Sequence, residues 1–335
     1  MLATVIHARG LARTFRKKKQ EVHAVVGVDL DVEPGEIVGF LGPNGAGKTT
    51  TLRMLTTLLE PTAGTASVAG CDLIADPVGV RRRIGYVSQS GSTAPEARAG
   101  EEVVDHARLY GMTTAEATER GQRLFRELDL EGLWDRQPKT MSGGQRRRLD
   151  IAVGLVHVPE LVFLDEPTTG LDPQARANLW THIRALREER GTTVFLTTHY
   201  LDEADALCDR ILVIDHGAIV ASGTPDELKS QVGGDVVTVT VERQDQVGDV
   251  ARLLGKLPRA EAPQVVGDRV VGRVPHGGAA LIELVRGLDG ADITVSGIES
   301  RRPSLDDVFL GLTGRSLRDS ESPAPAAALE EVVVR

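Results

Sequence analysis

Cysteine is scarce in this chain: only Cys71 and Cys208 occur among its 335 residues. The two are far apart and have none of the short spacings that metal sites use. Sparse cysteine usage of this kind is typical of proteins that work in a reducing compartment. We therefore expect a protein of the reducing cytoplasm.

Long apolar runs and excess positive charge are also absent from the sequence. No segment approaches the roughly 18 uninterrupted apolar residues that cross a bilayer, and the N-terminus lacks the apolar core of a signal peptide. We therefore expect no direct membrane span. The net charge of −9 argues against broad affinity for nucleic acid, so we expect no nucleic-acid partner. With 41% hydrophobic residues the chain can bury a substantial core, and its length favours two domains.

A glycine-rich segment between a strand-like run and a helical pattern is the most informative feature that is present. Its glycines let successive backbone N–H groups curl around an anion, and the N-terminus of the following helix adds partial positive charge. In such a phosphate-binding loop Lys48 reaches the β- and γ-phosphates of a nucleotide, and the Thr49 hydroxyl ligates Mg²⁺. The loop residues are Gly42, Pro43, Asn44, Gly45, Ala46, Gly47, Lys48, Thr49 and Thr50.

The segments on either side of this loop support the interpretation. Residues 36–41 form an apolar run typical of a buried strand, and leucines recur at helical spacing from Leu52 to Leu59. We expect this helix to continue until Pro61 stops it. The sequence therefore predicts nucleotide binding.

Two further segments lie downstream of the loop, the first of them after about ninety residues. The first precedes a basic helix-like stretch and consists of Ser142, Gly143, Gly144 and Gln145. Ser142 can cap a helix N-terminus, and the two glycines allow the close backbone approach that an anion needs. The less favoured alternative is a flexible turn before a basic helix. The second is an apolar run that ends in Asp165 and Glu166, at the place where a central parallel strand presents ligands.

In combination these segments resemble the ATP-binding cassette of ABC transporters. In that family the Ser-Gly-Gly-Gln segment contacts the γ-phosphate of an ATP held by the opposite subunit. The resemblance implies that Asp165 holds Mg²⁺ through a water and that Glu166 is the general base that polarises the attacking water. Adjacent carboxylates otherwise occur in solvated loops, but here four apolar residues precede them.

Three more residues match positions of the family's site. Gln89 resembles the glutamine that touches Mg²⁺ and water, His199 the histidine that contacts the γ-phosphate, and Asp172 the aspartate at the dimer interface. Each has a simpler interpretation: Gln89 exposed to solvent, His199 satisfied at a strand end, and Asp172 capping the helix that begins at Pro173. The Asp-Glu-Ala-Asp pattern over residues 202–205 matches the family and favours a catalytic His199.

Phe15 stands where the family places an aromatic ring that stacks on adenine. Most relatives carry tyrosine there, but stacking needs only a ring face, so phenylalanine can serve. Phe15 is equally compatible with a place in the core. Nothing near it indicates hydrogen bonds that would distinguish ATP from GTP.

The domain organisation follows from a change of pattern after residue 230. Residues 1–230 alternate strand-like and helical segments, which predicts an α/β fold. The resemblance specifies a P-loop NTPase cassette with a mixed, mainly parallel sheet, helices on both faces and an antiparallel β subdomain. Residues 235–314 predict a small α+β accessory or dimerisation domain, for which a ferredoxin-like arrangement is one candidate. Residues 315–335, rich in Ser, Pro, Ala and Glu, predict a disordered tail.

Residues 302–314 narrow the resemblance to one type of ABC ATPase. They are similar to the closing motif of the daunorubicin-resistance type of ABC ATPase. By themselves they predict only a capped helix whose apolar face comprises Leu305, Val308, Phe309 and Leu312. Residues 90–102, after Gln89, depart from the usual family pattern, so the identities of the substrate and of the membrane partner do not carry over.

The resemblance implies an ATP-hydrolysing subunit that energises export of a drug, an antibiotic or a lipid-like substrate through a separate integral-membrane permease. It also implies a homodimer at the cytoplasmic face of the membrane, with each ATP and its Mg²⁺ held between the two subunits. The alternative is a soluble ABC-type ATPase that does not transport, such as a translation or DNA-repair factor. Translation factors generally carry two cassettes, and repair factors insert coiled coils or zinc sites; this sequence has neither feature.

Overall fold

A computed structural model describes residues 4–17, 20–275 and 277–314. The chain divides into two compact units, of which the first ends at Pro225 and the second begins at Asp226. The helix Pro225–Gln231, which the sequence boundary at residue 230 assigns to the first domain, therefore lies almost wholly in the second unit. The predicted disordered tail, residues 315–335, lies outside the described residues.

The first unit contains two sheets and seven helices within the described ranges. In chain order the elements are β1 (Ile6–Lys17), β2 (Gln20–Val32), β3 (Ile37–Leu41), α1 (Lys48–Leu55), β4 (Ala63–Val68), β5 (Cys71–Asp72), α2 (Pro77–Arg83), β6 (Ile84–Val87), α3 (Ala99–Leu109), α4 (Thr114–Glu127), a short 3₁₀ helix (Pro138–Thr140), α5 (Gly143–Leu155), β7 (Leu161–Asp165), α6 (Pro173–Arg190), β8 (Thr193–Thr198), α7 (Leu201–Leu207), β9 (Arg210–Asp215) and β10 (Ala218–Gly223). No helix among them, or elsewhere in the described chain, combines the length and apolarity needed to cross a membrane.

The central sheet confirms the mixed, mainly parallel arrangement. Its strand order is β10-β9-β3-β8-β7-β6, with every pairing parallel except that of β9 with β10. Strands β3, β7 and β8 are buried at every residue, because a parallel sheet inside an α/β unit is covered on both faces. The second sheet, ordered β2-β1-β4-β5, is wholly antiparallel and forms the predicted β subdomain.

The parallel register brings the predicted site together. Strands β3, β6, β7 and β8 run in the same direction, so the segments that follow them lie at one edge of the sheet. Those segments carry the phosphate-binding loop after β3, Gln89 after β6, Glu166 after β7 and His199 after β8. Residues distant in the sequence thereby meet at a single edge.

The helix after the phosphate-binding loop is shorter than predicted. Helix α1 ends at Leu55, well before Pro61, and the chain then adopts a left-handed conformation at Thr57, where φ is 62°. Leu52 and Leu55 are buried as expected, but Leu58 is 54% exposed. The turn at Thr57 ends the helix, and Pro61 is not its stop signal.

The second unit has ferredoxin-like topology. Its described elements, in chain order, are α8 (Pro225–Gln231), β11 (Asp235–Val241), a short 3₁₀ helix (Gln244–Gln246), α9 (Val247–Gly255), β12 (Gln264–Val266), β13 (Arg269–Val274), α10 (Gly277–Gly290), β14 (Val295–Arg301) and α11 (Leu305–Thr313). From β11 to β14 this is a βαββαβ order, and the strands form an antiparallel sheet ordered β12-β13-β11-β14. The three residues of β12 are all exposed, so the strand has no apolar pattern in the sequence.

Asp307 explains the acidic residues of the closing motif. Its carboxylate accepts hydrogen bonds from Arg301, at 2.6 and 3.1 Å, and from Arg273, at 3.4 Å, and it completes a capping box with Ser304. Arg273 of β13 and Arg301 of β14 both lie opposite Val236 of β11, so one carboxylate joins α11 to the two strands that flank β11. On α11 the predicted apolar residues Leu305, Val308 and Phe309 are buried, whereas Leu312 is 43% exposed in the single chain.

We expect Asp307→Asn to weaken the attachment of α11 by about 2 kcal/mol at neutral pH, because charge-assisted hydrogen bonds are lost. Burial alone would raise the pKa of Asp307, but Arg301 and Ser304 lower it from 3.8 to about 2. The stabilisation is therefore complete above the ordinary pKa and is lost as the pH falls through about 2.

Hydrogen–deuterium exchange of the α11 amides in the full-length protein measures this effect. The variant should exchange faster than wild type at pH 7, and the difference should shrink below about pH 3. Asp289→Asn, an exposed change on α10, serves as the control and should exchange like wild type. Equal protection of α11 in wild type and Asp307→Asn at pH 7 would disprove the role of this carboxylate.

Candidate nucleotide site

The phosphate-binding loop is shaped by two close backbone contacts. A Cβ on Gly42 would lie 2.3 Å from the carbonyl oxygen of Ile214, and one on Gly47 would lie 2.5 Å from that of Ala24. Gly47 also has a φ of 107°, which residues other than glycine rarely adopt, and it is the N-cap of α1. Only glycine therefore fits at either end of the loop.

Lys48 points back across the loop. Its Nζ donates hydrogen bonds to the carbonyl oxygens of Gly42, at 2.9 Å, and Pro43, at 3.2 Å, and the side chain is only 4% exposed. The same Nζ lies 3.3 Å from Oε1 of Glu166. The loop lysine and the carboxylate predicted to be the base are thus direct neighbours.

Three predicted residues converge on Glu166. Besides Lys48, Nε2 of Gln89 donates to Oε2 at 3.0 Å, and Nδ1 of His199 lies 3.2 Å from the same oxygen. Burial alone would raise the pKa of Glu166, but His199 and Lys48 hold it at about 2. Glu166 is therefore ionised at neutral pH, and side chains from three different segments lie within 3.3 Å of its carboxylate.

Asp165 and Thr49 form an oxygen-rich group beside Glu166. The Thr49 hydroxyl donates to Oδ1 of Asp165 at 3.3 Å, and Thr197 donates to the same oxygen at 2.6 Å. Asp165 is 2% exposed, and burial raises its pKa. A hydroxyl, a carboxylate and the nearby Gln89 amide supply the oxygen donors that Mg²⁺ prefers, so the residues fit this ion.

The structure adds three residues that the sequence analysis did not identify. Thr197 accepts a hydrogen bond from the Glu166 amide at 3.0 Å, Thr169 donates to Oε2 of Glu166 at 3.2 Å, and Arg147 bonds the backbone on both sides of Glu166. A threonine inside the apolar β8 run was a usable signal for Thr197. No local pattern marks Arg147.

The Ser-Gly-Gly-Gln segment lies apart from this cluster in the same chain. It begins α5, where Ser142 and Gln145 form a reciprocal capping box with distances of 3.0 and 3.2 Å. Asp172 caps α6 by accepting from the Ala175 amide at 2.9 Å. Ser142 and Asp172 are exposed. Within the described ranges, no hydrogen bond or ion pair joins either segment to Lys48 or Glu166.

Phe15 lies on β1 and is half-buried. The guanidinium carbon of Arg13 is 4.9 Å from the centre of its ring. This distance is typical of a cation–π contact. Phe15 is therefore only partly buried rather than a fully buried core residue.

Sequence profiles of two families match the chain. The profile described as ABC transporter matches residues 25–169, which include the phosphate-binding loop, Ser142–Gln145 and Glu166. The profile described as ATP-binding protein DrrA1-3-like, C-terminal domain, matches residues 223–313. The second match begins close to the boundary between the two compact units.

Similarity to individual proteins extends over nearly the whole chain. The daunorubicin/doxorubicin resistance ATP-binding protein DrrA of Streptomyces peucetius is 44% identical over 98% of this chain and 97% of its own length. The Nod factor export ATP-binding protein I of Cupriavidus metallidurans is 39% identical over 92% of this chain and 98% of its own.

A solved structure resembles the first unit. It is a dimeric ATP-binding cassette in a post-hydrolysis state bound to ADP and Pi, with a TM-score of 0.61 and 26% identity over 65% of this chain and 98% of the solved chain. Fold, site geometry and near full-length identity agree. The chain therefore belongs to the ABC transporter family, as an ATPase subunit with a DrrA-like C-terminal domain.

Proposed function

We propose that this ATPase energises export of a drug, an antibiotic or a lipid-like substrate through a separate membrane-spanning permease, at the cytoplasmic face of the cell membrane. The observation that carries the proposal is similarity over both units to a protein named for daunorubicin/doxorubicin resistance. A second relative, which is named for Nod factor export, also supports a role in export. A translation or repair role has no comparable support.

In the proposed site, ATP binds with its phosphates in the loop of residues 42–50. Lys48, now bonded to loop carbonyls and Glu166, is placed to reach the β- and γ-phosphates. Thr49, Asp165 and Gln89 would hold Mg²⁺, which neutralises phosphate charge when bound. Phe15 would stack on the adenine ring, with Arg13 on its other side.

The proposed chemistry rests on Glu166. As an ionised carboxylate it orients a water and accepts its proton as that water attacks the γ-phosphate. His199, 3.2 Å from Glu166, fixes the carboxylate and contacts the γ-phosphate. Gln89 lies on the loop after β6, and its amide donates to the Glu166 carboxylate. Contact between the membrane partner and this loop would therefore change the position of a residue bonded to the base.

We infer a homodimer in which Ser142, Gly143, Gly144 and Gln145 of one subunit complete the site of the other. Ser142 and Gly143 are exposed at the N-terminus of α5, which suits contact with an anion from a second chain. Asp172 is proposed to lie at the same interface. ATP bound between the two subunits then holds them together, and hydrolysis removes this contact. The nucleotide cycle is thereby converted into movement of the permease.

The second unit is proposed to assist assembly of the complex. It presents apolar side chains on α10, where Ile282 is 59% and Val285 49% exposed. Apolar side chains at such positions suit a protein–protein contact better than a nucleotide site. Its proposed extent is 226–314, and the tail 315–335 remains a prediction from composition.

Reconstitution with the permease tests the proposed function. The full chain is purified from membranes of its own host, the co-purifying membrane protein is identified, and both are placed in vesicles. ATP should drive movement of the fluorescent drug daunorubicin, whereas Lys48→Ala should not support movement. A chain ending at Pro225 should still bind ATP but recover less membrane protein. If no membrane protein co-purifies, or if drug movement ignores ATP, the export proposal is wrong.

A further inference from the structure

Arg147 is a buried arginine whose guanidinium is bonded to backbone carbonyls. It lies in the second turn of α5 and is 6% exposed. Its nitrogens donate to the carbonyl oxygens of Ser88 at 2.5 Å, Pro167 at 2.8 Å and Asp165 at 2.9 Å. Burial lowers its pKa, and within the described ranges no carboxylate forms an ion pair with it. Burying a charged guanidinium costs free energy, so we looked for a function that this arrangement serves.

The three carbonyls belong to the residues on either side of Glu166 and to the residue before Gln89. Glu166 has a φ of 43°, a left-handed conformation that is strained for a residue with a side chain. Its amide is held by Thr197. Arg147 donates to the carbonyl oxygens of Asp165 and Pro167, so the backbone is held on both sides of the strained residue.

The next turn of α5 holds the other end of the Gln89 segment. Asp150, 5% exposed, accepts hydrogen bonds from the amides of Ser92, at 3.0 Å, and Thr93, at 3.3 Å. Arg147 and Asp150 together attach residues 88–93 to the helix that begins with the Ser-Gly-Gly-Gln segment. Helix α5 is thus bonded to the backbone beside both Gln89 and Glu166.

We propose that Arg147 is a positioning residue that sets the Glu166 carboxylate and Gln89 relative to helix α5. A displacement of residues 88–93, or of the N-terminal end of α5, then reaches Glu166 through the guanidinium. Arg147 does not touch the reacting atoms; it acts through the backbone of the residues that do. The inference rests on the proposed role of Glu166 as the base.

The first test is Arg147→Ala in the full-length protein. We expect kcat for ATP hydrolysis to fall about 10- to 100-fold while KM for ATP changes less than about threefold, because misplacing the base affects the transition state more than ground-state binding. Arg147→Lys, which keeps the charge and one donor centre, should recover part of the loss. If the alanine variant is unfolded, a loss of kcat without a change of KM in Arg147→Lys carries the test, and a wild-type kcat in that variant would overturn the proposal.

The control is Arg148→Ala, which removes the same side chain one residue along the helix. Arg148 bonds Asn178 and the Asp129 carbonyl, away from Glu166. It should lower the melting temperature without lowering kcat more than about twofold. If both alanine variants lose kcat in proportion to their loss of stability, Arg147 is merely structural and the proposal fails.

A double-mutant cycle separates this inference from the proposed base. In the Glu166→Gln background, Arg147→Ala should change the residual single-turnover rate by less than about threefold, since its effect passes through the missing carboxylate. Fully multiplicative losses would overturn the positioning role. Near-normal hydrolysis by Glu166→Gln alone would instead overturn the proposed base, whatever Arg147→Ala does.

Discussion

Glu166→Gln should lower the turnover of ATP hydrolysis by at least about 10²-fold, which is the ordinary contribution of a general base. The substitution keeps the size of the side chain and its contact with Gln89 but removes the charge that Lys48 and His199 stabilise. ATP binding should persist, because Lys48 keeps its place in the phosphate-binding loop and loses a competing anion.

Because the bound ATP is not cleaved, this variant should accumulate as an ATP-bound dimer. Steady-state ATPase assays measure the rate, and size-exclusion chromatography with ATP measures the dimer. Glu160→Gln is the matched control: the same chemical change at the opposite end of β7, on an exposed residue, should leave turnover within about twofold. Turnover near wild type in Glu166→Gln would remove Glu166 from the role of base.

Mixing two inactive variants should restore ATPase activity if the site is shared between chains. Lys48→Ala damages the loop half, and Ser142→Arg damages the segment offered to the partner chain. In a mixed dimer one composite site carries both lesions and the other carries none. With random exchange, half of the dimers are mixed and each has one intact site, so about a quarter of the wild-type activity is expected if sites act independently.

The control mixture combines two lesions from the same half. In a mixed dimer of Lys48→Ala and Glu166→Gln, each of the two composite sites carries one of the two lesions. No intact site forms, so activity should stay at the level of the separate variants. Ser142→Arg also removes the N-cap of α5, so its folding is checked by circular dichroism. Specific activity of the wild type that is flat across protein concentration would contradict the shared site.

The sequence was sufficient wherever one local pattern decides the structure. The apolar run before Gly42 and the capped start of α5 at Ser142 both have local physical causes, and both are present as expected. The convergence of Gln89 and His199 on Glu166 followed from the parallel order of their strands. Its distances could not be predicted, because they depend on register across the sheet.

Predictions failed where long-range packing or backbone strain decides. The end of α1 is set by the left-handed Thr57 rather than by a proline. The role of Arg147 could not be predicted from the sequence, because its partners are backbone carbonyl oxygens, which every residue carries. The conformation of Glu166 is likewise imposed by its neighbours rather than by its own preference.

The position of β3 in the central sheet has a consequence for the order in which the protein folds. The strand that leads into the phosphate-binding loop pairs only with β8 and β9, which come much later in the chain. During synthesis this fully buried strand has no sheet partner until β8, residues 193–198, has emerged. Such delayed pairing slows folding and leaves apolar side chains and unpaired backbone N–H and C=O groups exposed. The sheet of the second unit, in contrast, is complete within residues 235–301. ATP binding is therefore a late event for the nascent first unit, and a chain halted before β8 should be a target for chaperones rather than a partly active enzyme.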